Sequence, residues 1–346
     1  MPAEVDKVNF PRPIGVSRSC PILLLCVVII IVLAGKSPAQ TTIEDMHVMP
    51  PLGEITHRSA PRSLTESPIP SFKTRADLII VPVSVTDAMN RIVLGLEKEN
   101  FQIYENRRLQ FVETCSNEDA PISLAILLDT SGSMQGKLDQ AREAIHLFVN
   151  EANPEDELFV IAFSDSPIQL VDVGSSPEQI DNELLYTVSK GSTALFDAVY
   201  LAFANMRNAR YARKAILLIS DGGDNHSHYT ERDIRRIAKE SDVMIYGIGI
   251  YDHYFETMEE RLGPQLLGDL SSLTGGTAFV IEDPGDLPDA VVKIGIELRN
   301  LYILSYAPRT SPRDGKWHKI KVKLLRPKVF PAVEVHAREG YYATAE

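Results

Sequence analysis

The stretch Ile122-Ser123-Leu124-Ala125-Ile126-Leu127-Leu128-Asp129-Thr130-Ser131-Gly132-Ser133-Met134 decides the fold. Its first seven residues form a short apolar run that stops abruptly at polar turn formers, the pattern of a buried strand covered on both faces. Beyond the turn, Leu138, Ala141, Ile145, Phe148 and Ala152 recur at helical spacing. A strand followed by a helix in an open α/β sheet leaves its connecting loop at the carboxyl edge, where such sheets bind ligands. Asp129, Ser131 and Ser133 therefore bring one carboxylate and two hydroxyls to one small surface. Hard oxygen donors of this kind suit a hard cation such as Mg2+ or Mn2+.

The same alternation continues downstream. Apolar runs at 158–163, 168–173, 215–220, 244–250 and 277–280 read as further strands, with amphipathic helices over 138–152 and 194–206 and a last helix near 286–297. Strands alternating with helices predict a Rossmann-like, doubly wound and mostly parallel sheet covered on both faces. Two of its later loops carry oxygen side chains at equivalent positions. Thr193 lies just before the helix that begins near Ala194, and Asp221 directly follows the strand that ends at Ser220. Asp129, Ser131, Ser133, Thr193 and Asp221 thus form a candidate five-residue oxygen cluster.

On either side of this segment the chain turns β-rich. Residues 78–86 include a dense β-branched run, Asp87-Ala88-Met89-Asn90 supplies turn chemistry, and short strands fit 101–104 and 110–113 around a hairpin turn at Glu105-Asn106-Arg107-Arg108. Pro82 marks the first of these as an edge strand, because proline cannot donate to a central ladder. Strands return at 301–306, 317–324 and 332–337. Neither flank, 76–118 or 298–346, is long enough to close a core alone, so the two are expected to pair as a small β-sandwich around an inserted α/β domain at 119–297.

The amino-terminal segment has a separate character. Residues 20–34 carry no charge and are preceded by Lys7, Arg12 and Arg18, a pattern that predicts export. Fifteen apolar residues fall short of the roughly 20 needed to span a bilayer as a helix. Ser37-Pro38-Ala39 offers small residues for cleavage, and the alternative is an uncleaved membrane anchor within residues 1–39. The following residues, 40–75, are interrupted by Pro50, Pro51, Pro61, Pro68 and Pro70 and read as a disordered linker. Cys20 and Cys26 lie in the apolar segment, so Cys115 alone remains beyond it, as a small half-buried side chain without an internal disulfide partner. Removing residues 1–39 takes the formal charge from −12 to −14. An acidic exported domain without a basic, aromatic-interleaved patch argues against nucleic acid.

At the oxygen cluster the chain resembles the von Willebrand factor type A family, over about residues 121–297. That family's metal-ion-dependent adhesion site is written DxSxS, then T, then D, which Asp129, Ser131, Ser133, Thr193 and Asp221 match in order. The flanking pieces Val81-Pro82-Val83-Ser84-Val85-Thr86-Asp87, Glu99-Asn100-Phe101, Tyr104-Glu105 and Arg338-Glu339-Gly340-Tyr341-Tyr342 look like the acidobacterial-type relatives within it. The resemblance implies Mg2+ or Mn2+ bound directly by Ser131 and Ser133, directly or through water by Thr193, and chiefly through water by Asp129 and Asp221. A coordination position is then left for an Asp or Glu carboxylate of a protein partner. It implies a binding module rather than an enzyme, and the export signal places that module in the periplasm, at the cell surface or in the medium.

Competing patterns are weaker. Asp129-Thr130-Ser131-Gly132 approaches an aspartic-protease motif, but an extra residue intervenes and no second copy forms a dyad. Residues 132–137 look like a shortened phosphate loop with Leu138 where Ser or Thr is required, which argues against nucleotide. His226 and His228 read as solvated loop residues, Glu231-Arg232-Asp233 and Glu259-Glu260-Arg261 as solvated helix faces, and Trp317 as a packing residue in a strand. Motifs for a nucleophile elbow, a CxxC pair or an HExxH helix do not occur. The two alternatives of other classes are a metal-dependent hydrolase and a structural envelope protein whose ion stabilises the fold.

Overall fold

Four short strands open the described part of the chain: β1 (Ile79–Asp87), β2 (Phe101–Glu105), β3 (Arg108–Gln110) and β4 (Thr114–Ser116). The computed structural model describes residues 78–221, 223–251, 258–309, 313–325 and 332–344. The export segment 20–34 and the linker 40–75 therefore lie outside the described residues. Among those described, no helix is long and apolar enough to cross a membrane.

The α/β segment follows, with β5 (Ser123–Asp129), α1 (Leu138–Glu151), β6 (Glu157–Phe163), β7 (Pro167–Val171), α2 (Pro177–Leu185), α3 (Leu195–Met206) and β8 (Lys214–Ser220). It continues through α4 (Glu231–Glu240), β9 (Val243–Ile250), α5 (Met258–Thr274), β10 (Ala278–Ile281) and α6 (Leu287–Arg299). Its six strands lie in the order β10-β9-β8-β5-β6-β7, parallel except for the antiparallel edge strand β7. From β5 the chain winds outward through β6 on one side and later through β8 and β9 on the other. The switch point of this doubly wound sheet is thus the carboxyl end of β5, beside β8.

All seven residues of β5 are buried, and alternate side chains enter opposite layers. Leu124, Ile126 and Leu128 join Ile145, Phe148, Val291 and Ile294 from α1 and α6. Ala125 and Leu127 join Phe159, Val199, Phe203 and Leu270 in the layer of α3 and α5. This two-sided core explains why the strand reads as an unbroken apolar run. The helix α2 has no counterpart in the sequence expectations. Only Ile180 and Leu184 of its nine residues are buried, too few to show a period, and it is fixed by a capping box between Ser176 and Gln179 with proline in its first turn.

Four last strands, β11 (Tyr302–Tyr306), β12 (Trp317–Leu324), β13 (Val333–Ala337) and β14 (Gly340–Tyr342), complete two antiparallel sheets ordered β13-β1-β11-β4 and β14-β12-β2-β3. Val81, Val83 and Val85 from one sheet meet Phe101, Ile103 and Ile320 from the other in a common core with Tyr302, Leu304 and Tyr306. Both flanks contribute to both sheets, a small sandwich. Trp317 packs edge-on against Tyr342 at 5.2 Å, with the Lys239 ammonium 5.3 Å from its ring. Cys115 is partly buried in β4, where it pairs with Leu304 of β11.

Two local expectations are corrected. β1 is an interior strand, flanked by β13 and β11. Pro82 is tolerated because it pairs only with β11 at Ile303, and the ladder with β13 starts one residue later at Val83. The hairpin turn is also tighter than expected, since Arg108 already pairs with Glu105 and β3 ends at Gln110. Asn106 and Arg107 form its two-residue loop in the left-handed region, with φ of 46° and 70°, as a type I′ connection demands.

At the seam of sandwich and α/β layers lies Glu297 of α6, 2% exposed. The Thr277 hydroxyl donates to its Oε2 at 2.8 Å, and Ser84, Tyr246 and His336 surround it. Burial holds its carboxyl above the usual 4.5, opposed in part by the Thr277 hydrogen bond, the nearby Ser84 and Tyr246 hydroxyls and His336. The folded protein therefore holds this proton more tightly than the unfolded chain does. Its contribution to stability is fully present below pH 4.5 and is lost as pH rises through the folded value. The neutral isostere Glu297→Gln escapes that loss, so its stability relative to wild type should rise as pH climbs above 4.5. Urea unfolding of both proteins across this range checks it; a constant difference would be the contrary result.

Candidate metal centre

The switch point presents Asp129 as the last residue of β5, fully buried. Both of its oxygens are engaged. Oδ1 accepts the Ser131 amide at 2.8 Å, which turns the chain out of the strand, and Oδ2 accepts the hydroxyl of Ser220, the last residue of β8, at 2.6 Å. The loop is thereby fastened to the neighbouring strand. Thr130 is held from the other side, its amide and hydroxyl both donating to the Phe163 carbonyl at the end of β6.

Ser131 and Ser133 then lie side by side, their hydroxyl oxygens 3.0 Å apart. Ser133 donates to Asp221 Oδ1 at 2.8 Å, and Lys137 Nζ donates to Asp221 Oδ2 at 2.9 Å. Ser131, Ser133 and Asp221 are therefore joined through their side chains, and Asp129 joins them through the Ser131 amide. Thr193 is 5% exposed and enters through its backbone. Its amide donates to Asn225 Oδ1 at 2.8 Å, and its carbonyl accepts the Asn225 amide at 3.0 Å. The preceding residues are bound to the first loop, with Gly132 N donating to Gly191 O, Lys190 N to Thr130 O, and the Ser189 hydroxyl to Ser131 O. Gly191 needs its φ of +83°, and a Cβ there would lie 2.7 Å from the Asp165 carboxylate, which in turn accepts the Ser192 amide.

Burial, reinforced by the nearby Asp221 charge, pushes the Asp129 carboxyl up to about 7, against the pull of its hydrogen bonds from Ser220 and Ser131. The Tyr251 phenol, just past β9, is driven upward by burial and by the same two carboxylates. Gly249 leaves room for that ring, since a Cβ there would approach it to 2.2 Å. Two hydroxyls and two carboxylates in one pocket form an all-oxygen donor set with negative charge to be balanced, and this fits a hard divalent cation. Among the described residues no group of three or more His, Cys, Asp and Glu gathers as an alternative metal site. His226 is exposed, and His228 lies against Asp197 at 2.8 Å, with its side chain 87% exposed.

Sequence reasoning missed Ser220, Lys137 and Tyr251 as members of this site. Ser220 was hidden as the polar end of an apolar run, although it directly precedes Asp221. Lys137 carried a local preference that points elsewhere.

The family model of the von Willebrand factor type A domain matches residues 124–223, from β5 through the loop that holds Asp221. This chain carries a von Willebrand factor type A domain. The domain is similar to an uncharacterized protein of Borreliella burgdorferi, 21% identical over 219 residues that cover 53% of this chain and 64% of that protein. It is also similar to one of Synechocystis sp., 25% identical over 158 residues, 44% of this chain and 37% of that one. The chain thus spans less than two thirds of either relative. Among solved structures, a von Willebrand factor type A protein of Catenulispora acidiphila aligns with 79% of this chain and 64% of its own, at TM-score 0.47 and 16% identity. Proximal thread matrix protein 1 of the mussel byssus, in a form described with a zinc-occupied adhesion motif, aligns at TM-score 0.44 and 17% identity, over 55% of this chain and 48% of its own.

Proposed function

We propose that this von Willebrand factor type A domain is a cation-dependent protein-binding module. Ser131, Ser133 and Thr193 would hold Mg2+ or Mn2+, with Asp129 and Asp221 behind them. The cation would receive an Asp or Glu carboxylate from a protein partner. The observation that carries this reading is the direct linkage of Asp129, Ser131, Ser133 and Asp221 at the switch point of the sheet, with the loop of Thr193 bonded to theirs. Neutral hydroxyls nearest the cation leave more of its charge for an incoming anion than carboxylate ligands would. Export through residues 20–34 would place the module outside the cytoplasm, in the periplasm, at the cell surface or in the medium.

Peptides each presenting a single Asp or Glu, with Asn or Gln counterparts, provide the test. The immobilised full chain should retain a subset of the acidic peptides in millimolar Mg2+ and release them in chelator, while the matched amides fail to bind. Retention that is indifferent to both the cation and the carboxylate would refute the proposal.

A further inference from the structure

Lys137 stands where helix rules disfavour it. It occupies the residue that caps the amino terminus of α1, in helical backbone geometry and without a side-chain capping bond. The first turn of a helix exposes amide groups with partial positive charge, so a lysine there is repelled, and Ser, Thr, Asp or Asn is preferred. A local rule broken at the rim of a site is the kind of conflict that function imposes. Gly136, with φ of +86°, turns the chain just before it.

Its side chain is only 12% exposed, although a free lysine has ample rotamer freedom to lose. The ammonium lies 2.9 Å from Asp221 Oδ2, on a carboxylate whose side chain is 1% exposed. The other oxygen of Asp221 accepts the Ser133 hydroxyl at 2.8 Å. The carboxylate is therefore divided, one oxygen facing the hydroxyl pair and the other facing the ammonium. Lysine and cation need not compete for the same oxygen.

Charge then decides what Lys137 does. Asp129 and Asp221 together carry two negative charges when ionised, enough to neutralise a divalent cation and leave it no net attraction for another anion. The Lys137 ammonium, 2.9 Å from Asp221, adds positive charge to that balance and makes the loaded site more attractive to an incoming anion. We propose that Lys137 is a built-in counter-cation that sets the site to hold its metal less tightly and a partner's carboxylate more tightly. This rests on the cation-binding reading above and assigns the carboxylate preference to a residue outside the five-oxygen set.

The test compares the full-length wild type with Lys137→Met and Lys137→Arg. Free Mn2+ is followed by electron paramagnetic resonance, and acetate is then titrated into the Mn2+-loaded proteins by water proton relaxation. Lys137→Met should bind Mn2+ about tenfold more tightly, the scale of effect expected for a charge just outside the coordination shell, and should bind acetate several-fold more weakly. Lys137→Arg should match wild type in both. If Lys137→Met does not fold, Lys137→Gln carries the same expectation. Mn2+ affinity that is unchanged or weaker in the neutral variant, acetate affinity that is unchanged, or an arginine variant that behaves like the neutral one would overturn the role of Lys137 while the cation site stands. Absence of Mn2+ binding in wild type and neutral variant alike would overturn the cation site, and this inference with it.

Discussion

Phe159→Ala should lower the unfolding free energy by about 3–5 kcal/mol, the range for deleting a buried ring that its surroundings cannot refill. Phe159 is fully buried in β6 and pairs in register with Ala125, whose small side chain leaves space for the ring. Its layer is completed by Leu127, Ile161, Val199 and Phe203, and α3 lies across β5 and β6. Relaxation is restricted because β6 is bonded on both sides, to β5 and β7. The same strand carries the Phe163 carbonyl that holds Thr130, so the lesion lies in the scaffold of the site and not in its donors. Chemical denaturation should show the loss as a lower midpoint with little change in slope. A cost under about 1 kcal/mol, the scale of a surface substitution, would mean that the layer is not packed as described.

How much of this was legible in the sequence follows from where the information is stored. The run that ends at Asp129 is local and two-sided, so both the buried strand and the direction of the following loop could be read from it. Asp129, Ser131, Ser133 and Asp221 were legible for the same reason, as polar residues at the ends of apolar runs. The sandwich was legible only as an argument from size. Its ladders join Ile79 to Tyr306 and Phe101 to Leu324, and no local pattern specifies partners so far apart. Pro82 misled because a strand can be interior as a whole and still be paired on one side only over the stretch where the proline falls. The helix α2 escaped because its identity lies in its cap and not in its period. Lys137 escaped for a different reason: considered alone, it is a poor residue with which to begin a helix, and only the fold brings it to Asp221.

The second large effect concerns the cation itself. Asp129 and Asp221 share a buried pocket, where the Lys137 ammonium bonds to Asp221. A divalent ion that binds this arrangement, and not the unfolded chain, stabilises the fold by mass action. At a free concentration of about 100 times its dissociation constant the gain is about 2.7 kcal/mol. Removing Asp129 and Ser131 together takes away one carboxylate and one hydroxyl donor, and also the bonds that fasten the loop to Ser220 and Ser133. The variant should therefore begin less stable and gain nothing from the ion.

Urea unfolding of the full chain and of the double variant Asp129→Ala/Ser131→Ala, each in Mg2+, in Mn2+ and in chelator, tests metal binding at this site most directly. The expected result is cation-dependent stabilisation of the wild type, approaching about 2.7 kcal/mol at 100 times the dissociation constant, with none in the double variant. Equal stabilisation of both proteins, or none in the wild type with either ion, would contradict it.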